Sequence, residues 1–137
     1  MSDYVEYWLE LADYDLSAAR AMLKSKHWLY VGFMCHQVVE KALKAAISRD
    51  GSLPPKIHHL MRLADQGGLF AIMSEEQKNF IAQLNPLNIE ARYPERKEHI
   101  ASVLSAKVCQ EIMQEAEGLL CWIKEQLGLQ SSDTPTG

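Results

Sequence analysis

Apolar residues recur every three or four positions through most of the chain, the spacing of helices with one buried face. Val5, Leu9, Ala12, Leu16, Ala19 and Leu23 form one such stripe, predicting a helix from about Asp3 to Lys24. Ser2 or Asp3 can cap it. Its acidic first half and basic end (Arg20, Lys24, Lys26) match the helix dipole. Asp15 lies beside the stripe. It reads either as a border residue bonded to water or as a buried carboxylate that orients a cation on a neighbouring helix.

A second helix is predicted from about Trp28 to Arg49, stopped by Asp50-Gly51. Val31, Met34, Cys35, Val38, Ala42, Ala45 and Ala46 occupy one side, and Leu29, Phe33, Leu43 and Ile47 another. A helix apolar around most of its circumference is central in a bundle. Its narrow polar strip is His36, Gln37, Glu40, Lys41 and Lys44. His36, Glu40 and Lys44 fall at i, i+4 and i+8, so neighbours along that row pair. Polar groups on such a helix must be partnered or wet. The row is either a hydrogen-bond network that fixes the bundle's register or the wall of a ligand cleft, with Lys44 available to a phosphate.

Residues 51–57 (GSLPPKI) form a loop, and His58-His59-Leu60-Met61-Arg62-Leu63 opens a short third helix that Gly67-Gly68 ends. Adjacent histidines on a helix point about 100° apart and are poor joint ligands, so one of them is expected to cap or pack. Ser74-Glu75-Glu76-Gln77 is a capping box that starts a fourth helix, reaching Leu84 or Asn88, with Pro86 shortening or kinking it. Pro94 breaks any helix entering the next segment. Ser102 is expected to cap a fifth helix to about Leu127, with Cys109, Ile112, Ala116, Leu119, Leu120, Ile123 and Leu127 on one face. There is no β alternation, internal repeat or linker. The pattern predicts an all-α, up-and-down bundle of about five helices, three long and two short. Residues 1–128 form one domain, and 129–137 a polar, disordered tail.

Composition narrows the function. The 137 residues are 47% apolar, ample for one packed core. A net charge of −4 disfavours indiscriminate nucleic-acid coating but permits a small basic site. The charge is uneven. Residues 1–15 hold Asp3, Glu6, Glu10, Asp13 and Asp15 and no Lys or Arg, whereas 36–62 hold Lys41, Lys44, Arg49, Lys56 and Arg62 against Glu40 and Asp50. Cys35, Cys109 and Cys121 are odd in number, have no metal-ligand spacing and sit among apolar neighbours. They read as buried free thiols of a reducing compartment, so a cytoplasmic protein is expected. The start, MSDYVEYWLE, lacks a basic region and an apolar region, so no signal peptide is expected. No apolar run approaches a membrane span. Helices apolar on more than one side, with Trp8, Trp28, Trp122, Tyr4, Tyr7 and Tyr14, offer more aromatic surface than a small bundle needs. That surface is either core or interface.

The chain has no glycine-rich phosphate loop, zinc pattern or G-x-S-x-G elbow, and no Glu-x-x-His pair for a di-iron site. No metal and no cofactor is expected. Arg92 and His99 remain, with six residues between them that include Pro94. Arg forks onto phosphate, and His gives or takes a proton near neutral pH. Together they suit metal-free phosphodiester cleavage.

Ala12-x-x-Asp15, His36-Gln37-x-x-Glu40-Lys41-x-x-Lys44, His59-x-x-x-Leu63 after a proline loop, and Ala91-Arg92-Tyr93-Pro94 before a final helix follow one another in order. In that combination, over about residues 5–127, the chain resembles the HEPN domain (higher eukaryotes and prokaryotes nucleotide-binding). The resemblance implies an all-α bundle that dimerises, here a homodimer. It implies a minimal nucleotidyltransferase as partner in a toxin–antitoxin-type pair, and nucleotide or RNA as ligand. Active members are metal-independent endoribonucleases whose Arg and His, four to six residues apart, meet across a dimer. On that resemblance Arg92 and His99 are the catalytic pair, and His36, Glu40, Lys44 and Arg96 bind nucleotide or RNA. Other members are non-catalytic nucleotide-binding or protein-interaction modules. Tyr93 stands where active members commonly carry a polar residue, and both alternatives stay open.

Overall fold

The structure, a computed structural model, describes residues 3–90 and 104–129. Helix α1 spans Asp3–Lys24, and its stripe is buried as the spacing demands: Val5, Leu9, Ala12, Leu16 and Ala19 lie in the core, with Leu23 half-buried. Each buried leucine contributes about 1.5–3 kcal/mol through apolar area withdrawn from water. The helix ends in a tight reversal, with the His27 N–H donating to the Met22 carbonyl at 2.9 Å. Lys26 takes the left-handed conformation there (φ 66°), a cost of about 1 kcal/mol for a residue with a Cβ.

Helix α2 spans Trp28–Ile47, and thirteen of its twenty residues are buried. It is the central helix that its all-round apolar pattern predicts. Its expected last turn tightens into a 3-10 turn, Ser48–Asp50, closed by Gly51 at φ 87°. Helix α3, Leu60–Gln66, starts two residues later than expected because His59 is its N-cap, with the ring accepting from the Arg62 N–H. Asn85 Oδ1 takes a second orphan donor, the Leu60 N–H, at 2.8 Å.

After a 3-10 turn at Phe70–Ile72, helix α4 runs Glu75–Leu84 behind the predicted capping box. Both of its bonds form: Gln77 N–H to Ser74 Oγ at 3.0 Å and Ser74 N–H to Gln77 Oε1 at 2.9 Å. Pro86 splits the expected fourth helix. As the first residue of a new short helix, α5 (Pro86–Glu90), it needs no N–H partner there. Helix α6 spans Ala106–Gln126. Its cap is Ser105, which accepts from Val108 N–H at 3.2 Å, rather than the expected Ser102, which lies outside the described residues. The two serines stand three apart ahead of the same apolar stripe, so periodicity alone does not separate them.

Cross-helix pairs fix the directions. Asp15 meets Lys41 and Trp8 meets Lys44, so α1 and α2 are antiparallel. Asp13 meets Lys124 and Arg20 meets Glu117, so α1 and α6 are antiparallel too. Cys35 touches Met113 and Trp28 meets Cys109, so α2 and α6 run parallel. Helices α3 to α5 carry the chain back between them. Among the described residues there is no strand, and no helix is long and apolar enough to cross a membrane.

All three thiols are free, and Cys35 and Cys109 are buried. Cys121 departs from expectation and is only partly buried, because it borders the α6 stripe. Burial pushes the Cys35 thiol up to about 12, with the neighbouring Cys109 adding to the shift, and pushes Cys109 up to about 11. The aromatic surplus divides. The three tryptophans pack partly buried against the core, while Tyr4, Tyr7 and Tyr14 stay exposed.

Candidate functional site

The polar strip of α2 resolves into separate partnerships, each dictated by where its position faces. Gln37 faces α5 and donates from Nε2 to Asn88 Oδ1 at 2.9 Å. Lys41 faces α1 and donates to Asp15 Oδ2. Asp15 is therefore the buried carboxylate that orients a cation on a neighbouring helix.

His36, Glu40 and Lys44 come together, as their four-residue spacing predicts. All three are buried, at 0%, 3% and 7% exposure. Glu40 is the hub. Its Oε2 accepts from Lys44 Nζ at 2.9 Å and meets His58 Nδ1 at 2.9 Å, while its Oε1 lies 3.5 Å from His36 Nδ1. Charges buried this deeply are tolerated only when paired and hydrogen-bonded. Lys44 has a second partner: its ammonium sits 5.5 Å from the centroid of the Trp8 ring on α1. Lys44 thus commits its charge to Glu40 and Trp8, and serves the site by holding the carboxylate in place.

His58 is the site residue that sequence reasoning missed. Of the two adjacent histidines, His59 caps α3 and His58 turns back across the proline loop onto Glu40. The pair is eighteen residues apart, beyond any helical spacing rule. The only sequence signal was a histidine with no helix position to fill. The His58 side chain is 46% exposed, against 4% for Glu40, so it is the group through which this buried cluster reaches solvent. A carboxylate at Nδ1 fixes the imidazole's orientation. It also favours the tautomer that carries its proton on Nδ1 and leaves Nε2 as an acceptor. Such a ring can accept a hydrogen bond from a ligand at the surface.

Arg92, Arg96 and His99 lie outside the described residues. Among the described residues, no group of three or more His, Cys, Asp or Glu side chains is placed to hold a metal ion.

The profile of the HEPN domain family matches residues 5–126. No curated protein sequence matches the chain. Two crystal structures share the fold. The protein TT1696 from Thermus thermophilus aligns with a TM-score of 0.79 at 21% identity, covering 91% of this chain and 99% of that one. ST0689, an archaeal HEPN homologue, aligns with a TM-score of 0.63 at 20% identity, covering 90% and 97%. With a family match over nearly its whole helical part, the chain belongs to the HEPN domain family.

Proposed function

We propose that this HEPN protein acts on nucleotides or RNA, as the helical partner of a minimal nucleotidyltransferase in a toxin–antitoxin-type pair, and cleaves RNA without metal. The observation that supports a ligand site is the Glu40 cluster. Ion pairs this deep add little net stability over well-packed apolar residues, yet the central helix carries one, and it surfaces through a half-exposed histidine. In this reading Arg92 stabilises the charge developing on the phosphate, and His99 moves the proton of the attacking ribose 2′-OH. The 2′-oxygen bonds to phosphorus as the P–O5′ bond breaks, so one product ends in a 2′,3′-cyclic phosphate and the other, once its leaving oxygen is protonated, in a 5′-hydroxyl. A homodimer supplies two copies of the pair. Arg96 adds a phosphate contact, and His58, held from beneath by the His36–Glu40–Lys44 row, faces the nucleotide.

The test is single-stranded RNA incubated with purified protein in EDTA. Cleavage with cyclic phosphate ends is expected, abolished by Arg92→Ala and by His99→Ala with melting unchanged. Cleavage that survives in both variants overturns the site, and RNA left intact by the wild-type protein overturns catalysis. The pairing of Lys44 with Glu40, which leaves its charge already answered, favours a second reading, a non-catalytic nucleotide-binding or interaction module. Calorimetry then gives nucleotide binding without turnover, lost in His58→Ala. Co-expression with a minimal nucleotidyltransferase tests the partnership, for which a complex of fixed stoichiometry is expected.

A further inference from the structure

The outer face of α1 is at once aromatic and acidic. Tyr4, Tyr7 and Tyr14 are 47%, 54% and 74% exposed. Asp3, Tyr4, Tyr7 and Trp8 of α1 and Leu53 of the proline loop line an open, almost wholly apolar cleft of about 340 Å³. The Tyr7 and Trp8 rings stand edge to face, 5.3 Å apart and tilted by 75°. With 3.6 residues per turn, Glu10, Asp3, Tyr14 and Tyr7 fall within about 60° of one another around the helix, so carboxylates interleave with rings. Among the described residues no cation pairs with Asp3, Glu6 or Glu10, and the nearby Lys124 is taken by Asp13.

Two kinds of ligand suit aromatic walls. A nucleobase stacks on them, but nucleic-acid platforms surround their rings with cations that hold the phosphate backbone. Here the exposed charges of α1 around the rings, Asp3, Glu6 and Glu10, are carboxylates, which repel phosphate. A cation is drawn to the negative faces of the rings and to the carboxylates together. The Trp8 ring already receives Lys44.

We propose that this cleft docks a basic segment of a partner protein. One Lys or Arg side chain sits among Tyr4, Tyr7 and Trp8, its aliphatic stem against Leu53, and further cations answer Glu10 and Asp3. Tyr7 and Tyr14 are seven residues apart, about 10 Å along the axis, which suits cations two turns apart on a partner helix. The surface is independent of the RNA reading, because its charge has the opposite sign to any phosphate site.

The test uses the full chain and three fluorescent probes: a lysine-bearing amphipathic helical peptide, its glutamate counterpart, and a single-stranded RNA of similar length. The lysine peptide is expected to bind. Tyr7→Ala should weaken it about tenfold and Tyr7→Phe much less, as a ring–cation contact of this size requires. Asp3→Asn and Glu10→Gln should weaken it at low salt, with the difference fading at high salt. These positions are exposed, so unchanged melting confirms folding. Equal affinity for the glutamate peptide would mean simple apolar adhesion and overturns the proposal. RNA binding lost in Tyr7→Ala would mean a base slot and overturns it. Self-association lost in Tyr7→Ala without peptide binding would mean a second copy and overturns it, as does no binding of any probe.

Discussion

Removing the charge of Glu40 tests the polar cluster most directly. Glu40→Gln keeps the side chain's shape but leaves Lys44, with its side chain 8% exposed, and His58 without their anion. Breaking a buried pair by deleting one partner costs about 3–5 kcal/mol, because the other charge stays desolvated. Two features place this case near the lower end: the glutamine carbonyl still accepts one bond, and the Trp8 ring still faces the ammonium. The expected loss is about 3 kcal/mol, roughly an 8–12 °C drop in melting temperature for a domain this size. Lys44→Met keeps the stem and removes the ammonium. It should cost less, about 2 kcal/mol, because His58 and His36 still face the carboxylate. The double variant leaves no orphaned charge and should cost about 2 kcal/mol in total, a coupling near 3 kcal/mol between the two positions. Urea unfolding followed by circular dichroism, with the slope unchanged across all four proteins, gives these values. A loss below about 1 kcal/mol for Glu40→Gln, or losses additive within about 0.5 kcal/mol, would refute the picture of a buried, mutually dependent pair.

The thiols give a pH prediction. Cys35 and Cys109 ionise only near 12 and 11 in the folded protein, against an ordinary value of 9.0. A thiol reagent at pH 8 should therefore label Cys121 first in the native protein and all three only on unfolding. Because the folded values are raised, the contribution of the neutral thiols is complete below pH 9 and is lost as pH climbs towards 12. Urea titration should show stability falling across that window, less steeply in Cys35→Ala. In α6, Gly118 is exposed, and an added Cβ there would meet nothing within 4 Å. Gly118→Ala should raise stability by about 0.5–1 kcal/mol through helix propensity alone, read from the same denaturation curves. An unchanged or lowered midpoint would mean that the space is needed.

What the sequence revealed follows the range of the interaction. The limits of α1, the central standing of α2 and the Ser74 capping box depend on contacts within a turn or two, and period and cap chemistry disclosed them. The His36–Glu40–Lys44 row was legible for the same reason, since i and i+4 positions share a helix face. The partners that complete it are set by tertiary packing. Asp15 meets Lys41 across 26 positions, and His58 meets Glu40 across 18. Asp15 announced itself as a carboxylate on the edge of an apolar stripe. His58 did not, because a histidine in a loop has no periodicity to violate. Pro86 was ambiguous because proline ends one helix and begins another with equal ease, and only the turn at Asn85 decides it.

The Glu40 cluster and the α1 cleft share structural parts, and this bears on how the molecule is used. Trp8 meets the Lys44 ammonium and also walls the cleft. Leu53 lines the cleft, and His58, five residues further along the same loop, closes on Glu40. The loop is therefore tied down at one point by a buried carboxylate while it offers an apolar side chain, 72% exposed, at another. A partner seated against Tyr7 and Leu53 would press on the segment that positions His58. A ligand that draws His58 off Glu40 would free that segment and withdraw one partner from the carboxylate that holds Lys44 under Trp8. Coupling between two sites needs an element that both of them bias. Loop 51–59, which carries both Leu53 and His58, is the segment that the two proposed sites share.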